Sequence, residues 1–109
     1  MTEQEGCAVL KARFEAAGCR IVENHALEEV PIELDGWDAE RRVGYEWITT
    51  EAGDRDEVTP EVVAALEHKM AAGQLYVLLV DEYDIDTPEE LARAADRFLV
   101  RLREQGTLP

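Results

Sequence analysis

The stretch Pro31–Ile48, PIELDGWDAERRVGYEWI, sets three carboxylates, Glu33, Asp35 and Glu46, on two short segments that read as the arms of a hairpin. Such a set is suited to holding a hard divalent cation. Magnesium takes oxygen ligands at roughly 2.0–2.1 Å, usually one or two carboxylates with water and a substrate phosphate completing the shell. Adjacent antiparallel strands bring same-face side chains within about 5 Å of one another, close enough to share an ion. Glu33, Asp35 and Glu46 all alternate with the apolar residues Ile32, Leu34, Tyr45 and Trp47, so the spacing permits their convergence.

Other chemistries have less to work with. The chain contains no serine and no glycine-rich phosphate loop, which removes serine-hydrolase and P-loop mechanisms. Cys7 on a first helix and Cys19 just beyond it are separated by most of that helix, too far for a disulfide, and no further ligands make a zinc pattern with them. They read as reduced thiols. His25 and His68 lack metal-ligand spacing and read as solvent-facing. The acidic run Asp81–Asp86 has neither the turn glycine nor the terminal glutamate of a calcium loop, and reads as a solvated connection. Trp47 falls on the apolar side of its strand. Trp37, with Asp38 beside it, falls at the hairpin tip, where a large ring is expected to be exposed and to serve as a partner-binding anchor.

Charge narrows the partners. The 109 residues carry 25 acidic against 11 basic side chains, a net charge of -14, while a 46% hydrophobic fraction is ordinary for a folded domain rather than an acidic tail. Phosphate contacts supply much of the affinity for nucleic acid, so this balance disfavours it and favours a basic protein partner or divalent cations. The arginines Arg93, Arg97 and Arg101 read as a solvated helix face with partners on the same helix. The N-terminal MTEQEGCAVL has no basic region before a long apolar core, and the longest apolar run, LYVLLV, is too short to cross a bilayer. A soluble, cytoplasmic chain without membrane contact is expected.

The elements that would position the acids follow from periodicity. The length suits a single domain over residues 1–109. Leu10, Phe14 and Ala17 repeat at helical spacing and Gly18 supplies the stop. Arg20–Asn24 reads as a short strand, Val30–Asp35 and Val43–Ile48 as alternating strands with a turn over GWDAER, and Leu75–Val80 as a strand covered on both faces and paired in parallel. Thr59 before Pro60, and Thr87 before Pro88 with Glu90 following, mark two helix starts. The predicted order is α-β-β-β-α-β-α: an α/β (α+β) fold with a four-stranded mixed sheet flanked by helices.

That order, with an acid on the second strand and another on the third, resembles the PD-(D/E)XK nuclease superfamily from the first helix through Val80, and implies a restriction-endonuclease-like fold. The string LDGWDAERRVGYEW is similar to the hairpin of some branches of that superfamily in which the third-strand lysine is absent. The resemblance implies that Asp35 and Glu46 hold Mg2+, with Glu33 as the competing second-strand ligand near Pro31, and Glu5 or Glu15 assisting from the first helix. The third-strand motif reads Glu46-Trp47-Ile48, without its lysine, and Lys69 in the following helix is the available replacement. The leading expectation is therefore a nuclease-like scaffold without catalysis, acting as an acidic protein-binding, regulatory or immunity-type module. The alternative is a Mg2+-dependent phosphodiesterase using Asp35, Glu46 and Lys69.

Overall fold

The computed structural model describes residues 1–109 and places helix α1 at Glu3–Ala16, strands β1 at Val22–Ala26, β2 at Glu33–Asp38 and β3 at Val43–Ile48, helix α2 at Pro60–Ala71, strand β4 at Tyr76–Asp81 and helix α3 at Pro88–Glu104. The order is the expected one, α-β-β-β-α-β-α, and the fold is α+β. The sheet runs β1-β2-β3-β4, antiparallel across β1/β2 and β2/β3 and parallel across β3/β4. Each helix begins on a threonine whose hydroxyl accepts from the chain: Thr2 from the Glu5 amide, Thr59 from Val62 and Thr87 from Glu90. Pro60 and Pro88 occupy the first helical positions, where their missing N–H costs nothing. No helix is long and apolar enough to cross a membrane.

Two apolar cores lie on opposite faces of the sheet. Leu10 and Phe14 of α1 pack with Tyr45, Trp47 and the α3 stripe Leu91–Ala95–Leu99–Leu102 on one face. Leu34, Trp37 and Val77 meet Val62 and Leu66 of α2 on the other. With helices on both sides, every residue of β3 is buried, so its alternating sequence hides the polar member of the pattern as well as the apolar one. Glu46 consequently sits at 1% exposure.

The hairpin turns later than the sequence suggests. The turn occupies residues 39–42, and β2 begins at Glu33 rather than Val30, so Trp37 lies inside the strand, level with Val22 of β1 and Gly44 of β3. It is 2% exposed and belongs to the α2-side core. The expectation of an exposed anchor at Trp37 is corrected by this register. Tyr45 and Trp37 each lie over a cross-strand glycine: a Cβ on Gly36 would stand 2.2 Å from the Tyr45 ring, and one on Gly44 would stand 2.8 Å from that of Trp37. Bare backbone there lets both rings lie flat on the sheet.

Asp38 is also internal. Its carboxylate accepts from the amides of Arg41 (2.9 Å) and Arg20 (2.8 Å) and pairs with the Arg41 guanidinium at 3.4 Å. Burial opposes ionisation, but those two amides and the guanidinium outweigh it and hold the group below the usual carboxylate range. It fastens the turn rather than meeting a partner. Arg93, Arg97 and Arg101 are exposed as expected, yet none is ion-paired along α3.

Trp37→Ala should therefore act as a core truncation, lowering unfolding free energy by about 3–5 kcal/mol in urea titration. An unchanged midpoint would contradict its placement.

Candidate functional site at the split between the second and third strands

The β2/β3 ladder stops at Gly36 and Tyr45. Beyond that point β2 stays paired with β1 through Glu33, and β3 stays paired with β4 through Ile48. The sheet thus opens between its two middle strands, and side chains take over from the missing backbone bonds. The Asp35 amide donates to Glu46 Oε1 at 3.1 Å, and the Trp47 amide donates to Asp35 Oδ2 at 2.8 Å. The second-strand and third-strand acids are brought together, each holding the other strand's backbone.

Two further acids close on the same place. Glu3, in the first turn of α1, accepts from the Thr49 hydroxyl at 2.6 Å and from the Cys7 thiol at 3.4 Å. Asp54, in a short 3₁₀ turn (Asp54–Asp56) and 7% exposed, accepts from the Thr49 amide at 3.1 Å. Thr49 is the hub, reaching Glu3 with its hydroxyl and Asp54 with its amide. Ligand atoms of Glu3, Cys7 and Asp35 all lie within 4.8 Å of one another. They line a cleft of about 360 Å³ together with Glu23 and Asn24 of β1. Asn24, opposite Asp35 between the paired residues Glu23 and His25, has a φ of 53°, so β1 is distorted beside the split.

No cation of the protein neutralises this group. Of the two lysines, Lys11 pairs with Glu23 at 3.2 Å and Lys69 donates to Gln74 at 3.3 Å. Arg55, although adjacent to Asp54, turns to Asp81 (2.7 Å) and Glu82 (3.2 Å). Glu46 Oε1 accepts from the Asp35 amide, while its Oε2 atom meets no N–H or O–H donor. Burial, then the Asp35 carboxylate, push Glu46 far above the usual carboxylate range. Burial, opposed by the Thr49 hydrogen bond and reinforced by Asp35, raises Glu3 to about 7. Burial likewise raises Asp54.

No family model, curated protein or solved structure matches this chain. The remaining sequence candidates fall elsewhere. Glu33 is exposed at the start of β2, beside a separate depression lined by Pro31, Asp56 and Glu57. Lys69 lies at the end of α2 where β3 and β4 begin, about 10 Å along β3 from Glu46. Glu5 and Glu15 are exposed; the acid that α1 contributes is Glu3. Helical phase points to it, since Glu3 and Cys7 continue the stripe of Leu10 and Phe14 at i, i+4, i+7 and i+11. Asp54 has no comparable signal, being one of several acids in a charged loop.

These raised carboxyls set an unusual pH dependence. A group more protonated in the native state than in the unfolded one makes stability fall as pH rises. For Glu3 the window runs from its ordinary 4.5 up to about 7. Metal-free protein should be more resistant to urea near pH 5 than near pH 8. Glu46→Gln, an isostere of the protonated acid, should stay within about 1 kcal/mol of wild type at pH 7 and flatten part of that slope. A rising stability from pH 5 to pH 8 in both proteins would refute the assignment.

Proposed function

We propose that this chain is a divalent-cation-binding module on a nuclease-like scaffold that does not cleave phosphodiesters, and that its acidity suits it to a basic protein partner. The observation that carries the reading is the convergence of Glu3 and Asp35, whose ligand oxygens lie within 4.8 Å of each other, next to the buried Glu46 Oε2 that meets no donor. A buried acceptor without a donor is satisfied by a proton or by a cation, and the carboxylates of Glu3 and Asp35 are oxygen ligands of the kind a divalent ion takes. Asp54 is placed to orient that set through Thr49. The placement of Asp35 on β2 and Glu46 on β3 is the one that the PD-(D/E)XK resemblance implies, and supports the kinship as a proposal.

The non-hydrolytic part rests on the positions of the cations. In hydrolytic relatives a lysine orients or activates the attacking water, whereas Lys69 here is engaged with Gln74 at the far end of the sheet. A metal would supply Lewis-acid polarisation when bound; among this chain's own lysines, Lys11 pairs with Glu23 and Lys69 donates to Gln74, so neither is free to orient the attacking water. The hydrolytic reading has one observation on its side: Lys11, one turn beyond Cys7 on α1, is held by Glu23, which lines the cleft. A chain charge of -14 opposes the approach of a polyanion and accelerates encounter with a basic protein.

Thermal melting with a divalent ion tests the site. An ion bound only by the native state at a hundredfold excess over its Kd adds about 2.7 kcal/mol. The midpoint of the wild type should rise, and the rise should vanish in Asp35→Asn and Glu46→Gln. No shift with any divalent ion would end the proposal. Plasmid DNA should survive incubation with metal-loaded protein; metal-dependent degradation that is lost in Lys11→Met would decide for the phosphodiesterase.

A further inference from the structure

We propose that the cation at this site is bound through sulfur as well as oxygen, with Cys7 as a ligand beside Glu3 and Asp35, and that the site takes a borderline-soft ion of the Zn2+ class over Mg2+. The inference rests on the cation-site reading above and adds the identity of the ion.

The geometry begins with α1. Glu3 and Cys7 are one helical turn apart, so both project onto the same face, and that face meets Asp35 across the cleft. Gly6 lies between them. A Cβ there would stand 2.3 Å from the Trp47 indole nitrogen, so only a glycine lets the helix come down far enough to bring both side chains to the split. Ligands of a tetrahedral ion with bonds of about 2.0–2.3 Å are separated by about 3.3–3.8 Å. Cys7 Sγ and Glu3 Oε1 already stand 3.4 Å apart, and the whole triad lies within 4.8 Å. Rotamer adjustments of about an ångström close the remainder.

A second observation lies beside the triad. Glu46, 1% exposed, accepts from the Asp35 amide at 3.1 Å through Oε1 and leaves Oε2 buried with no donor. The triad itself gives one sulfur and two oxygens, one ligand from the sheet and two from the helix. The open side of the cleft, between α1 and the distorted stretch of β1 at Asn24, provides the entry path.

Ligand softness then selects the metal. Magnesium demands oxygen and keeps its water, whereas a thiolate favours zinc and its neighbours in the first transition row. Coordination replaces the thiol proton by the metal, and that proton goes to solvent. Cys19 has no share in this: it is 5% exposed in the α1/α3 core beyond the end of α1.

Co2+ is the probe, because thiolate ligation gives an intense near-ultraviolet charge-transfer absorption that oxygen ligands do not produce. Full-length, reduced, metal-free protein titrated with Co2+ should develop that band to one equivalent, and Zn2+ should abolish it stoichiometrically. The band should be absent in Cys7→Ser and in Asp35→Asn and intact in Cys19→Ser. Zn2+ should raise the melting midpoint of the wild type at concentrations at least tenfold below those needed for Mg2+, and Cys7→Ser should remove that preference. If Co2+ or Mn2+ stabilises the wild type with no charge-transfer band, and Cys7→Ser behaves identically, the sulfur assignment is overturned while the oxygen site stands. A band that persists in Asp35→Asn overturns it too, since the thiol would then be binding metal outside the cluster. Absence of stabilisation by Zn2+, Co2+, Mn2+ and Mg2+ alike overturns this inference together with the reading beneath it.

Discussion

The architecture turns on a buried acid, Glu46, and a half-buried one, Asp35, set side by side where the ladder opens. Where β2 and β3 part, Asp35 and Glu46 replace backbone pairing by reaching across to the opposite strand. Each therefore has a structural duty that fixes its position. Having used the available amides, they leave Glu46 Oε2 buried without a donor. Like charges at such separations disfavour joint ionisation, and burial adds to the penalty. A proton answers that constraint, as would the cation proposed above, and raised carboxyl pKa values are its direct consequence.

The surroundings keep that conflict local. β3 pairs with β4 along its whole length, from Val43 with Tyr76 to Ile48 with Asp81. The loop that carries Thr49 and Asp54 is tied to the end of β4 by Arg55, which forks onto Asp81 at 2.7 and 3.0 Å and lies over the Tyr83 ring at 3.9 Å. On the other side, α1 is seated by Phe14 against Tyr45 and by Gly6 against Trp47. The Trp47 indole nitrogen lacks a partner as well, which marks how closely the helix is pressed there. Rigid elements on three sides hold the acids in place, so the frustration cannot relax by moving a strand. Local rule-breaking inside an otherwise consistent fold is where function is expected.

Much of this was legible in the sequence, and the rest was lost for identifiable reasons. Helix starts at Thr59-Pro60 and Thr87-Pro88 are chemical signals that no tertiary contact overrides, and the continuous apolar run before Asp81 could hardly be anything but a covered strand. Alternation permits Asp35 to meet Glu46 but permits Glu33 as well; the family resemblance points to Asp35, and the opening of the ladder is what brings Asp35 and Glu46 onto each other's strands. The composition of GWDAER suggests a turn at Trp37, but register is set by which side chains reach the core; Gly44 opposite offers the ring a bare surface that no single-strand pattern reveals. Glu5 and Glu15 are as acidic as Glu3, and only helical phase, which continues the Leu10 and Phe14 stripe through Cys7 to Glu3, separates them. Asp54 could not have been singled out, since its burial depends on a 3₁₀ turn folding a charged loop back onto Thr49.

Net charge and local charge have to be weighed separately. The figure of -14 governs encounter, enriching cations and basic proteins near the surface and repelling nucleic acid. At physiological salt, however, exposed charges are screened over roughly 8 Å, so most of that excess is invisible at the split. What an ion meets there is Glu3, Asp35, Glu46 and Asp54 in a partly water-excluded recess, with Lys11 and Arg55 held by other partners. A single divalent ion balances two of those carboxylates and leaves the outer surface strongly negative. Loading the site would firm the scaffold without making it attractive to a polyanion. Ile48, two residues beyond Glu46 on β3, brings no opposite charge from that strand, so the proposed site would have to be neutralised from outside the chain.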